Sequence, residues 1–196
     1  MWVAKIWKKI DIREFGSKNA GLTNVFRVLG WKPAIPVVVV DLLKGMLAPY
    51  IAMQLAPGNT WLPLVAGLLA IFGHSFTCLA GFRGGKGVLT ALGVFCTLSP
   101  VPALLSLAVW LAFTFFSGYV SLGSIAGCLM LGLGLTAGYF QFPYVSTFIS
   151  KVHPGLLLTG WVVALFVIVK HMSNIKRLLN GTENGFKKRK PKGKVK

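Results

Sequence analysis

The sequence predicts an all-α, polytopic membrane helix bundle of about six spans. Two observations carry that expectation. Of 196 residues, 55% are hydrophobic and only 13% charged, with a mean hydropathy of +0.70, whereas a soluble domain carries roughly 25% charged residues. The charges are also segregated. Seven cations (Lys5, Lys8, Lys9, Arg13, Lys18, Arg27 and Lys32) precede position 33, ten follow position 169, and positions 33–169 hold only Asp41, Lys44, Arg83, Lys86 and Lys151.

The net charge of +17 would suit a nucleic-acid binder if the cations shared one soluble face with a reading element. Here they flank apolar blocks, which is the positive-inside pattern of a membrane protein. Membrane lipids are therefore the expected partner of the chain ends, and no nucleic acid is expected. Cys78, Cys96 and Cys128 show no CxxC spacing and sit among apolar residues, so they read as buried free thiols.

The first apolar run, Ala34 to Ala56, is long enough to cross a hydrocarbon core of about 30 Å. Pro57-Gly58-Asn59 makes a tight polar turn, and Thr60 to Ala80 follows as the second span. From Val88 to Ser150 no residue is charged, and weaker signals divide the run: Ser99-Pro100-Val101-Pro102, Ser117-Gly118-Tyr119 and Gln141-Phe142-Pro143-Tyr144. The resulting spans lie near 88–98 (short, tilted or re-entrant), 100–117, 119–140 and 155–172. Six crossings return every dense cationic segment to one side, the cytoplasm. Merging 88–117 into one helix would strand the basic tail outside. Gly123, Gly127, Gly132, Gly134 and Gly138 suggest close helix contact in the 119–140 span.

Three polar segments then fall at the cytoplasmic ends. The segment Gly16-Ser17-Lys18-Asn19-Ala20-Gly21-Leu22-Thr23-Asn24, with Arg27 beyond it, offers hydroxyls, amides, close backbone approach and one bidentate cation. That set suits a phosphate, although the same residues can simply cap the next helix. Gly73-His74 and Gly84-Gly85-Lys86-Gly87 put a lysine among glycines at a helix start, which is either an anion nest or an ordinary glycine turn. It is not a Walker A loop, because Ala80 and Gly87 occupy positions that need Gly and Ser or Thr. His171 to Glu183 closes the last span, with His171 and Asn174 expected on one helical face; the rival is a basic headgroup anchor. Asp41 and Lys44, at i and i+3 inside the first span, are either functional or a self-neutralising pair.

These residues resemble the bacterial acyl-phosphate:glycerol-3-phosphate acyltransferases over nearly the whole chain. A Gly-Ser-x-Asn-x-Gly-x-Thr-Asn-x-x-Arg motif is matched by Gly16, Ser17, Asn19, Gly21, Thr23, Asn24 and Arg27, a Gly-His…Gly-Gly-Lys-Gly-Val motif by Gly73, His74 and Gly84–Val88, and a terminal motif by His171 to Glu183. Asp41-Leu42-Leu43-Lys44-Gly45 matches a further element. The resemblance implies acyl transfer from acyl phosphate to the sn-1 hydroxyl of glycerol 3-phosphate, giving lysophosphatidic acid and phosphate in phospholipid synthesis, without a cofactor or metal. It implies Ser17, Arg27, Lys86 and His171 as catalytic. Substrate binding falls to Asn19, Gly21, Thr23, Asn24, Asp41, Lys44, His74, Gly84, Gly85, Gly87, Asn174, Arg177 and Glu183.

It further implies a bacterial inner-membrane location with motifs and C-terminus cytoplasmic, one membrane-embedded domain over 1–186, a disordered basic tail over 187–196, and the soluble enzyme that makes acyl phosphate as a partner. Three departures stand out: Thr77 replaces a usual proline, Lys18 adds a cation, and Met1–Ile6 reads as the tail of a family first helix. The proton acceptor is either His171 or the acceptor's own phosphate, since neither a His-x4-Asp pair nor a Ser–His–Asp triad is present. The alternative function is a membrane transporter of a phosphorylated small solute.

Overall fold

The computed structural model describes residues 1–142, 144 and 147–185, and the described residues form helices joined by turns and short loops. Pro143 and the expected tail 187–196 lie outside them. A short α1 (Trp2–Lys8) and an amphipathic α2 (Leu22–Leu29) precede six apolar helices: α3 (Trp31–Leu55), α4 (Trp61–Ser75), α5 (Val88–Leu98), α6 (Pro100–Ser117), α7 (Val120–Phe140) and α8 (Pro154–Lys170). A final amphipathic α9 covers Met172–Leu179. Among the described helices, α3, α6 and α7 are long and apolar enough to cross a membrane alone. At 15 and 11 residues, α4 and α5 fall below the roughly 20 a full crossing takes.

The packing contacts fix alternating directions. Gly45 of α3 meets Thr90 and Gly93 of α5, and Thr97 bonds the Met46 carbonyl, so α3 and α5 run parallel. Gly67 and Ile71 of α4 meet Val94 and Gly87, which makes α4 antiparallel to α5. Gly123, Gly127 and Gly134 of α7 lie against Thr114, Ser106 and Pro102 of α6, and Gly132 lies against Trp161 of α8. Gly138 faces Ile149 and Val152. Each expected glycine of α7 is thus a point of close contact, where the missing side chain lets neighbouring elements meet. Among the described residues the six apolar helices alternate in direction, and residues around 75, 88, 118 and 171 share one end of the bundle, level with Lys44 and Gly45 near the middle of α3.

Two boundaries differ from the sequence expectation. The second span was expected to run to Ala80, but α4 ends at Ser75. The Ser75 carbonyl accepts from the N–H of Gly84, a residue of the returning loop, so the helix gives up its own next turn. Cys78, expected buried, is consequently exposed in that loop. The last span was expected to continue into the terminal motif, but α8 and α9 meet at 56°. At the joint, His171 Nδ1 bonds the Val167 carbonyl at 2.8 Å, taking the acceptor that the regular i to i−4 backbone bond would use. His171 caps α9 and its carbonyl accepts from the Asn174 N–H at 2.8 Å, so the two residues stay together across the bend and both reach one cavity.

Candidate functional site

The loop before α2 is shaped by one amide. Asn24 is 1% exposed; its Oδ1 accepts from the Ser17 N–H at 2.8 Å, and its Nδ2 donates to the carbonyls of Ile12, Phe15 and Asn19. Gly16, at φ +60°, passes against that side chain where a Cβ would collide with Oδ1. Asn19 Oδ1 in turn receives the Gly21 N–H at 2.8 Å. This network turns Ser17, Thr23 and Arg27 toward a cavity.

Beyond α9, Glu183 ties the C-terminal end of the motif to the bundle. Its carboxylate accepts from Ser121 of α7 at 2.9 Å, from Asn174 at 2.7 Å and from Arg177 Nε at 2.7 Å. Burial opposes its ionisation, but the hydrogen bonds from Asn174, Arg177 and Ser121 outweigh that and hold the carboxyl below its usual range. Lys86 Nζ donates to Asn174 Oδ1, which joins the glycine-rich loop to the terminal motif. Burial, opposed by Glu183 and aided by Arg177 and Arg27, pushes the Lys86 ammonium down to about 8. Arg27 Nη2 donates to the Asn184 carbonyl at 2.9 Å, while its Nε is buried without a hydrogen-bond partner.

In α3, Lys44 Nζ lies 2.5 Å from Asp41 Oδ1 and 2.7 Å from His74 Nδ1. The polar side chains end at one cavity of about 190 Å³, more than ten times the roughly 10–15 Å³ that a single water needs. Its wall takes in Ser17, Asn19, Gly21, Thr23, Asn24, Arg27, Asp41, His74, Lys86, Gly87, His171, Asn174 and Glu183. The cavity continues between α5, α6 and α7 along Leu92, Phe95, Leu107, Cys128 and Leu131. A cationic mouth therefore opens into an apolar groove, a shape that suits an amphiphile with a phosphate at one end.

Lys44, Gly84, Gly85 and Arg177 do not line the cavity. Lys44 bonds Asp41 and His74, and Arg177 holds Glu183. Gly84 and Gly85 are pressed against the His74 carbonyl and ring, where a Cβ would collide with each, and the Gly84 N–H is spent on Ser75. Gly84 and Gly85 thus serve close packing of the loop, while Lys86 and Gly87 line the cavity. Asn24 lines the cavity but commits both ends of its amide to the loop, so it is a shaper of the site rather than a free ligand group. Sequence reasoning missed Ser121 as a partner of Glu183, since a lone serine in an apolar helix carries no signal until its neighbour across the bundle is known. It also left the individual groove residues unnamed.

Among the described residues no cluster of His, Cys, Asp or Glu is arranged to hold a metal ion. A family model described as glycerol-3-phosphate acyltransferase matches residues 1–181. A glycerol-3-phosphate acyltransferase of Fusobacterium nucleatum subsp. nucleatum is 41% identical over 187 residues, covering 95% of this chain and 90% of that protein. Glycerol-3-phosphate acyltransferase 2 of Bacillus anthracis is 43% identical over 182 residues, covering 93% and 88%. Among solved structures, PlsY, an integral membrane glycerol 3-phosphate acyltransferase, superposes in its glycerol 3-phosphate form with a TM-score of 0.81 at 36% identity, over 95% of this chain and 88% of that one. Its lysophosphatidic acid form gives 0.79.

Proposed function

The chain belongs to the glycerol-3-phosphate acyltransferase family and is an acyltransferase integral to a membrane, and on that premise we propose that it moves a fatty acyl group from acyl phosphate to the sn-1 hydroxyl of glycerol 3-phosphate. The observation that carries this reading is the single cavity in which Arg27, Lys86 and Ser17 surround the mouth of an apolar groove. Both substrates are phosphorylated, so a cationic mouth serves acceptor and donor alike, and the groove takes the acyl chain.

In the reaction the acceptor oxygen bonds to the acyl carbon, the acyl carbon–phosphate oxygen bond breaks, and inorganic phosphate leaves. The place of Arg27 on the cavity wall supports a role for its guanidinium in holding the acceptor phosphate. Lys86 neutralises the charge that develops on the carbonyl and the leaving phosphate. Asp41 and Glu183 are both engaged by donors, so neither is an available base. His171 carries its hydrogen on Nδ1 against Val167, which leaves the Nε2 lone pair to orient a substrate hydroxyl. The hydroxyl proton then passes to the dianionic acceptor phosphate, with proximity supplying most of the rate.

Residues 1–186 act as one membrane domain in this account. The site end of the bundle faces the cytoplasm of a bacterial cell, where the soluble enzyme that makes acyl phosphate can deliver it at the inner membrane. A transporter reading gains nothing here, because the apolar groove that continues from the polar mouth suits an acyl chain rather than a small solute. The test is the purified full chain in lipid with labelled glycerol 3-phosphate and either acyl phosphate or acyl-CoA. Lysophosphatidic acid acylated at sn-1, formed from acyl phosphate with one phosphate released per turnover, is expected. Preferential use of acyl-CoA overturns the donor assignment.

A further inference from the structure

We propose that Asp41, Lys44 and His74 form a positioning device for Lys86: the α3 ion pair fixes the His74 ring, and the ring is the surface on which the Gly84–Gly85 peptide rests. The three side chains come from two helices and close on one another. Lys44 Nζ reaches Asp41 Oδ1 at 2.5 Å and His74 Nδ1 at 2.7 Å, and His74 Nδ1 lies 3.4 Å from Asp41 Oδ1. The Asp41 and His74 side chains are only 12% and 13% exposed. An ammonium has only hydrogens to offer, so His74 accepts at Nδ1 and carries its own hydrogen on Nε2.

Nε2 is the atom that faces Gly85, where a Cβ would collide with the ring. Gly84 packs against the His74 and Ser75 carbonyls, and its N–H donates to the Ser75 carbonyl at 3.2 Å. Lys86 is the next residue, and its ammonium reaches the cavity beside Asn174. Because Lys44 lies off the cavity wall, its part is carried through His74. Asp41 and His74 touch the cavity, but their polar atoms at this contact are turned on one another.

This inference rests on Lys86 acting in the transfer. If His74 seats the loop through direct contact with Gly85, the two positions are coupled and a double-mutant cycle reads the coupling. Gly85→Ala should lower kcat about 100-fold by displacing Lys86. His74→Ala should lower it about 10-fold, and it opens the space that the new methyl needs. The double variant should then recover turnover about 10-fold over Gly85→Ala, within the range found for residues in contact. Lys44→Gln, which leaves the cavity wall unaltered, should lower kcat while KM for glycerol 3-phosphate stays near wild type.

A second readout follows Lys86 itself. Its ammonium is faced by Arg27 of α2, by His171, Arg177 and Glu183 of the terminal motif, and by the Asn174 amide. Burial is the largest cause of its low pKa, so a loosened loop in His74→Ala or Lys44→Gln should move the alkaline limb of kcat/KM, which reports the free enzyme, upward toward the ordinary lysine range. Additive losses in the cycle, with an unmoved limb in both single variants, overturn the proposal. Wild type run beside them with acyl-CoA separates the donor assignment, because turnover with the wrong donor condemns that assignment while the cycle still reads the coupling.

Discussion

Lys86 sits where its charge is least well solvated and most useful. Its ammonium is pushed down to about 8, chiefly by burial, so the cationic form is lost as pH rises through that value, well before an ordinary lysine would titrate. The expected pH profile of kcat/KM, which reports the free enzyme, therefore falls on the alkaline side near pH 8, and initial rates at subsaturating substrate from pH 6 to 10 check it. Glu183 makes the opposite kind of contribution. Its native pKa lies below the ordinary 4.5, so the stability it adds is full above that value and is lost as pH falls through the lowered native one. Glu183→Ala should strip Ser121, Asn174 and Arg177 of their shared acceptor, at a cost of about 1–3 kcal/mol at neutral pH. Thermal melts of wild type and variant should differ at pH 7 and draw together only as pH falls well below the ordinary carboxylate range. None of these partnerships was legible in sequence beyond the clustering of polar residue types, because Lys86, Ser121 and Glu183 meet only once three distant segments are folded together.

At the scale of elements, the helix boundaries were legible wherever the backbone itself supplies the break. Val88–Leu98 and Pro100–Ser117 were marked by Ser99-Pro100 and by Ser117-Gly118, and those helices form as expected. The errors came where a tertiary hydrogen bond ends a helix that composition would extend. Ser75 surrenders its carbonyl to Gly84, and His171 takes the Val167 carbonyl with its ring. The contact of α3 with α5 yields a direct test of close packing. A Cβ at Gly93 would meet the Leu42 carbonyl and Met46 N–H, both backbone atoms that cannot rotate away, whereas one at Gly73 of α4 meets nothing within 4 Å. Gly93→Ala should thus cost about 1–3 kcal/mol through strain. Gly73→Ala should be neutral or slightly stabilising through helix propensity. Melting temperatures in the same detergent compare the two.

For the whole molecule, alternating passes bring the loop before α2, the glycine-rich loop and the α8–α9 joint to one end, as charge parity along the sequence anticipated. If that end is cytoplasmic, Cys78 reports on it, being exposed in the loop after α4. A membrane-impermeant maleimide should label Cys78 in inside-out vesicles and spare it in right-side-out vesicles; the reverse pattern would invert the proposed topology. Cys96 and Cys128, within α5 and α7, should stay unlabelled in both. Which residues line the apolar groove was not legible in the sequence, because leucines that line a cavity and leucines that face lipid look alike until the helices are placed.

The central claim is that Arg27 and Lys86, on different segments, act on one reaction from one cavity. It is tested most directly by the kinetics of Arg27→Ala and Lys86→Ala with acyl phosphate and labelled glycerol 3-phosphate. The account predicts that Arg27→Ala raises KM for glycerol 3-phosphate steeply, and that Lys86→Ala lowers kcat about 100-fold, the scale of losing one preorganised charge at a transition state. Near-wild-type constants in both variants would contradict it.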